Sequence, residues 1–286
     1  MLSVVGAAAI GAGWILQHRP VDPEEGGSPD RRLTDLMREP WWWAGIAAMS
    51  AGQTLTGFAL QHGAITLVAP LLSTNLLCAF LVRAAMIRHR PLAREVVGGL
   101  GMIAAVTAFV LIGGPHVSPG QHPAGLADSV VGTAAVGAIA VALLAAGARR
   151  RVAALSVTAA LAAGLLYGMQ DVATRATLVL LDRDGPHALV ATVWPYLLLA
   201  AATVAVLLTQ RAFRAARLDY ALPPIAASQP AVGIALGIPL LGDRLDLTVP
   251  ALAVEAVCSA VLIGSTVLLA RSTALTNRAR SHRRGA

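Results

Sequence analysis

Apolar residues dominate nine stretches of the chain, near 2–17, 42–61, 64–87, 95–114, 127–148, 153–181, 187–209, 219–241 and 247–270. Arginines, acidic residues, glycines and prolines punctuate them. A helix needs about 20 apolar residues to cross the hydrocarbon layer of a bilayer. Most of these runs meet that length, which predicts an all-α, polytopic membrane protein of nine transmembrane helices. The first run, at 16 residues, is short. No positive segment precedes it and no small-residue cleavage site follows, so it reads as a retained span and not as a signal peptide. His62-Gly63 alone separates the second and third runs and reads as a tight turn. Gln170, Asp171 and Arg175 interrupt the sixth run, predicting an irregular second half.

Composition strengthens this picture. Of 286 residues, 56% are hydrophobic and 13% charged, and mean hydropathy is +0.68. A soluble domain carries about 25% charged residues, so the apolar excess calls for lipid as solvent. The apolar mass is Ala, Leu, Val and Gly, small residues that let helix backbones approach closely in a membrane. Cys78 and Cys258 lie inside apolar runs and read as small hydrophobes.

Net charge is +7, and every basic residue is arginine. Sorted by alternate loops of a nine-span chain, nineteen of the 22 fall on one side. They are Arg19, Arg31, Arg32 and Arg38; Arg83, Arg88, Arg90 and Arg94; Arg149, Arg150 and Arg151; Arg211, Arg214 and Arg217; and Arg271, Arg278, Arg280, Arg283 and Arg284. Only Arg175, Arg183 and Arg244 fall on the other. Positively charged loops stay in the cytoplasm. The split therefore predicts a multi-pass protein of the cell (cytoplasmic) membrane with its N-terminus outside and its C-terminus inside. Arginines placed between spans explain the basic balance better than a nucleic-acid partner. Trp41, Trp42, Trp43 and Trp194 sit at span ends, as in an aromatic belt.

The chain also resembles itself. Shifted by 153 residues, Leu2-Ser3-Val4 falls on Leu155-Ser156-Val157, Gly11 on Gly164, Trp14 on Tyr167 and Gln17 on Gln170, with seven identities over 2–17. Trp41 falls on Trp194 and Pro70 on Pro223. This predicts a first four-helix repeat in 1–114, a linking transmembrane helix in 115–152, a second four-helix repeat in 153–270 and a basic cytoplasmic tail in 271–286. Corresponding spans are five crossings apart. Five is odd, so the second repeat is inverted, an architecture of secondary transporters with the solute site between the repeats.

Polar residues within spans are costly, about 2.5–3.5 kcal/mol for a charged one at mid-bilayer. Glu255, mid-span nine, is the leading candidate for a protonatable or cation-binding group. Asp171 is the second, either in a cavity with Tyr167 and Gln170 or paired with Arg175 one turn along. Gln17, as the counterpart of Gln170, is expected to face it across the repeat axis. Pro70 with Ser73, Thr74 and Asn75, and Pro223 and Pro224 with Ser228 and Gln229, are matching candidates for helix breaks that line a site. Gln53 is a weaker candidate. The seven histidines lack metal-ligand spacing, no phosphate-binding glycine loop is present, and neither a cofactor nor enzymatic chemistry is indicated.

Four stretches carry a family likeness: Gly11-Ala-Gly-Trp-Ile-Leu-Gln17; Trp41-Trp-Trp-Ala-Gly45 with Ala59-Leu60; Leu67-Val-Ala-Pro-Leu-Leu-Ser-Thr-Asn75 with Arg94-Glu-Val-Val-Gly98; and Gly242-Asp-Arg-Leu245. At these residues the chain resembles the drug/metabolite transporter superfamily, closest to the nine-helix branch that includes the NIPA-like magnesium transporters. The last stretch is similar to that superfamily's Gly-Glu-Arg-Leu turn, with Asp for Glu. The resemblance implies alternating-access transport of a small molecule or cation, with the lipid bilayer as the other partner and a homodimer admitted. A magnesium or divalent-cation carrier and a non-transporting membrane scaffold remain the alternatives.

Overall fold

The computed structural model describes residues 2–21, 33–62, 123–149, 152–215 and 218–242, with single helical residues between 78 and 105 and between 257 and 264. The described residues form helices and no strand. Six helices are long: α1 (Leu2–His18), α2 (Pro40–His62), α3 (Leu126–Ala148), α4 (Val152–Asp184), α5 (Trp194–Ala215) and α6 (Leu218–Leu241). They coincide with the first, second, fifth, sixth, seventh and eighth apolar runs. The third, fourth and ninth runs lie outside the continuous described segments. So do Pro70, Ser73, Thr74, Asn75 and Glu255.

Four helices, α3 to α6, are long and apolar enough to cross a membrane. α1, at 17 residues, is apolar but shorter. α3 shows what the sequence composition requires. Val130, Val131, Ile139 and Val141 are exposed along it, an apolar surface that water would not favour and lipid would.

Three boundaries differ from expectation. The sixth run is one unbroken helix of 33 residues, α4, about 50 Å long. Its polar second half stays regular, and its threonine hydroxyls are satisfied within it: Thr174 Oγ1 donates to Gln170 O and Thr177 Oγ1 to Ala173 O, both at 2.7 Å. The seventh run begins later than expected. After α4, Gly185 adopts φ +78°, the left-handed helix-stop conformation that glycine adopts without strain. A single turn, Ala188–Ala191, follows. Thr192 is then extended, and Pro195 sits in the first turn of α5, where its missing N–H costs nothing. The eighth run is continuous across Pro223, Pro224 and Pro230, so no interruption of the helix occurs there. Each proline removes one backbone donor, but the surrounding turns hold the helix.

Packing is closest where side chains are smallest. α1 and α2 pack along each other. A Cβ placed on Gly13 would lie 2.8 Å from Gly45 O, and one on Gly45 2.8 Å from Gly13 O. Gly6 and Gly52, seven residues away on each helix, repeat that contact. α4 packs against α3, α5 and α6. Gly164 and Gly168, one turn apart, meet Ser228, Ile225 and Gln229 of α6 at backbone-contact range. α1 shares no such backbone approach with α4 or α5, and α2 approaches α4 over a smaller area.

The aromatic residues divide. Trp41 and Trp43 are exposed, whereas Trp42 and Trp194 are buried. Arg19 lies 4.2 Å over the Trp41 ring, a cation–π contact joining the end of α1 to the start of α2.

Candidate functional site

Between the α1–α2 pair and the α4–α5–α6 group, α2 meets α4 around Gly57, Thr174 and Leu178, and α1 reaches α5 through polar and aromatic side chains. On α1, Trp14 and Gln17 are one turn apart and both are buried. Gln17 Nε2 donates to Met49 Sδ of α2 at 2.7 Å. Gln17 Oε1 accepts from Gln210 Nε2 of α5 at 2.6 Å. Beside it, His18 meets Phe213 edge-on, ring centroids 5.3 Å apart. Gln210 follows Thr209, whose hydroxyl donates to Tyr167 Oη of α4 at 3.2 Å and to Ala205 O at 2.9 Å. The Trp14 indole N–H is directed toward the same tyrosine hydroxyl but lies outside hydrogen-bond geometry.

Two hydrogen bonds between helices, with the sequence neighbours Thr209 and Gln210 and the one-turn pair Trp14 and Gln17, arrange five side chains in a ring across three helices: Trp14 and Gln17 on α1, Gln210 and Thr209 on α5, and Tyr167 on α4. One turn further along α4 stand Gln170 and Asp171, both buried. Asp171 Oδ2 accepts from Gln229 Nε2 of α6 at 2.8 Å. The glycine contacts between α4 and α6 bring Gln229 that close. Ser228, next to it, donates to Leu161 O of α4 at 3.2 Å and to Pro224 O at 2.8 Å, stitching the two helices together below the carboxylate.

Buried polar atoms are nearly always hydrogen-bonded. Three atoms here have no hydrogen-bond partner among the described residues: Trp14 Nε1, Gln170 Oε1 and Gln210 Oε1. Each such atom costs about 1–3 kcal/mol unless something supplies a partner. Trp14, Gln170 and Gln210 stand on α1, α4 and α5, so each of three helices carries one uncompensated polar atom here.

Of the residues expected from sequence, the structure joins Asp171 to Gln229 directly and places Tyr167, Gln170 and Ser228 around them. The contact that holds Asp171 comes from α6; Arg175, also buried, has a partner of its own. Gln17 does not meet its repeat counterpart Gln170; it meets Gln210 and Met49. Gln53 is half-buried on α2, apart from the ring's hydrogen bonds. Sequence reasoning missed Trp14 as a lining group, Met49, Thr209 and Gln210. Gln210 stands against Arg211 at the end of an apolar run, where a glutamine reads as interfacial. The available signal was spacing: Ala201, Ala205, Leu208, Thr209, Ala212 and Phe213 are all buried, so one stripe of α5 faces inward through its last turns and carries Gln210 with it. No group of three or more potential metal ligands occurs among the described residues.

No family model matches the chain, and no solved structure matches it. The chain is similar to an uncharacterised protein of Corynebacterium glutamicum, 25% identical over 281 residues, which covers 96% of this chain and 95% of that one.

Proposed function

We propose that this protein is a secondary transporter of the drug/metabolite class, moving a small polar solute across the cytoplasmic membrane by alternating access. The observation that carries this reading is the buried polar string where α1 and α2 meet α4, α5 and α6. It runs from Met49 and Gln17 through Gln210, Thr209 and Tyr167, and on to Asp171 and Gln229. Within each group, helices meet at glycine and alanine. Between the groups, α1 reaches α5 by long polar side chains, while α2 meets α4 at Gly57. A scaffold gains nothing from placing unpaired polar atoms in its core, since each costs stability. A transporter needs such a place, because its solute gives up water there.

The inverted repeat agrees with this arrangement. α1 packs along α2, and α4, the counterpart of α1, packs along α5, the counterpart of α2. In the proposed topology nine spans place the N-terminus outside and the C-terminus in the cytoplasm. α1 and α5 then both end at the cytoplasmic side, where the Gln17–Gln210 bond lies. Glu255 of the ninth span is retained as a second candidate carboxylate.

The test is flux through liposomes carrying the purified protein, using a panel of small neutral, anionic and cationic metabolites and Mg2+. Saturable movement of an organic solute, reduced at least tenfold by Asp171→Asn or Gln17→Ala, is expected. Movement of Mg2+ alone would replace this reading with the divalent-cation one. Folded protein that moves no panel member would sink both and leave the scaffold.

A further inference from the structure

The ring of Trp14, Gln17, Gln210, Thr209 and Tyr167 contains no charged side chain. Two of its buried polar atoms have no hydrogen-bond partner among the described residues, the Trp14 indole N–H and the Gln210 carbonyl oxygen. One is a donor and the other an acceptor. Trp14 is one turn from Gln17, which accepts from Gln210. Both residues are buried, at 1% and 0% exposure, so bulk water does not compensate them.

A ligand group completes this ring if it accepts one hydrogen bond and donates another from adjacent atoms. A primary carboxamide does so: its oxygen accepts from the indole and its NH2 donates to Gln210 Oε1. A carboxylate has no proton to donate, and an ammonium has no lone pair to accept. Either ion would also lose hydration with no opposite charge in the ring. The ring already holds one amide–amide hydrogen bond, Gln210 to Gln17. The aromatic faces of Trp14 and Tyr167 give the flat amide an apolar surface to lie against.

We propose that this ring is a binding site for the primary carboxamide group of a small uncharged solute. The inference rests on the transport reading only in making that solute the cargo; the site itself stands on the ring. Gln170, one turn from Tyr167 on α4, carries a further acceptor without a partner among the described residues.

The experiment uses the full-length protein in detergent and in liposomes. The probes are acetamide and propionamide, each against its size-matched acid and amine: acetate and ethylamine, propionate and propylamine. Binding is read from the shift in thermal unfolding, and transport from competition and flux. The amides are expected to bind about tenfold or more tighter than the acids and amines, the ratio expected for one well-made hydrogen bond over an unpaired group. Trp14→Phe keeps the ring face and removes only the N–H. It is expected to erase most of that preference, as is Gln210→Leu. Both variants are first checked for unchanged helix content, and Trp14→Phe covers the case in which Gln210→Leu fails to fold.

Amide, acid and amine binding equally in a protein that transports another solute would overturn this inference and leave the transport reading intact. An amide preference that survives in Trp14→Phe would overturn the assigned site. Amide binding lost in the variants, with no flux of anything, would uphold the site and overturn the transport reading.

Discussion

At the scale of single residues, the pair Asp171–Gln229 concentrates the energetics. Asp171 is the one buried acidic side chain among the described residues, and one amide N–H reaches its Oδ2. Removing that donor leaves the carboxyl without the group that compensates its burial. Gln229→Leu is therefore expected to lower stability by about 1–3 kcal/mol, measured by unfolding in mixed micelles. The double change Asp171→Leu with Gln229→Leu is expected to recover part of that loss, because no unpaired polar group then remains. Double and single variants of equal stability would contradict the pairing. Both residues were legible in the sequence, since a polar side chain within an apolar run demands a reason. Their partnership was not legible. They are 58 residues apart, and only the approach of α6 to Gly164 and Gly168 brings them together.

Helices were the most legible level. The runs at 2–17, 42–61, 127–148 and 219–241 match α1, α2, α3 and α6 to within a few residues, because hydropathy and length are properties of the segment itself. The departures occurred where local chemistry competes with hydropathy. Proline in α6 and polar residues in α4 suggested interruptions, yet each turn's remaining backbone hydrogen bonds keep those helices whole. At 185–195 the apolar run continues but the helix does not, since Gly185 and an extended Thr192 end one axis and start another. The α1–α2 contact gives the prediction proper to this scale. Gly13→Leu or Gly45→Leu inserts a side chain where a single Cβ already falls 2.8 Å from the facing carbonyl. Each is expected to cost about 1–3 kcal/mol by overpacking and to raise protease sensitivity between residues 19 and 40. Gly137, whose Cβ would meet nothing within 4 Å, is the control: Gly137→Leu is expected to leave the protein folded. Equal effects at the two kinds of site would mean that the helices do not meet as described.

Across the whole molecule, orientation is the property most open to direct test. The proposed topology puts the exposed residues Asp182 and Asp184, at the end of α4, and His187, before α5, outside the cell, and the basic tail inside. A cysteine at Asp184 is expected to react with a membrane-impermeant thiol reagent added to whole cells. A reporter fused after Ala286 is expected to be active only in its cytoplasmic form. A shielded Asp184→Cys together with an external C-terminal reporter would reverse the topology and with it the cytoplasmic position of the Gln17–Gln210 bond.

By itself the sequence determined that this is a helical chain with an excess of apolar surface, where several of its helices run, and which polar residues inside them need explanation. These follow from terms each segment carries alone: transfer free energy, length and turn chemistry. Tertiary structure decided which polar groups meet. Gln17 turned toward Gln210 and Met49 instead of Gln170, Tyr167 toward Thr209, and Asp171 toward Gln229. A hydrogen bond of 2.6 to 3.2 Å depends on how far each helix is rotated and how closely its backbone approaches the next. Glycines and alanines on neighbouring helices set both quantities, and no single segment contains that information.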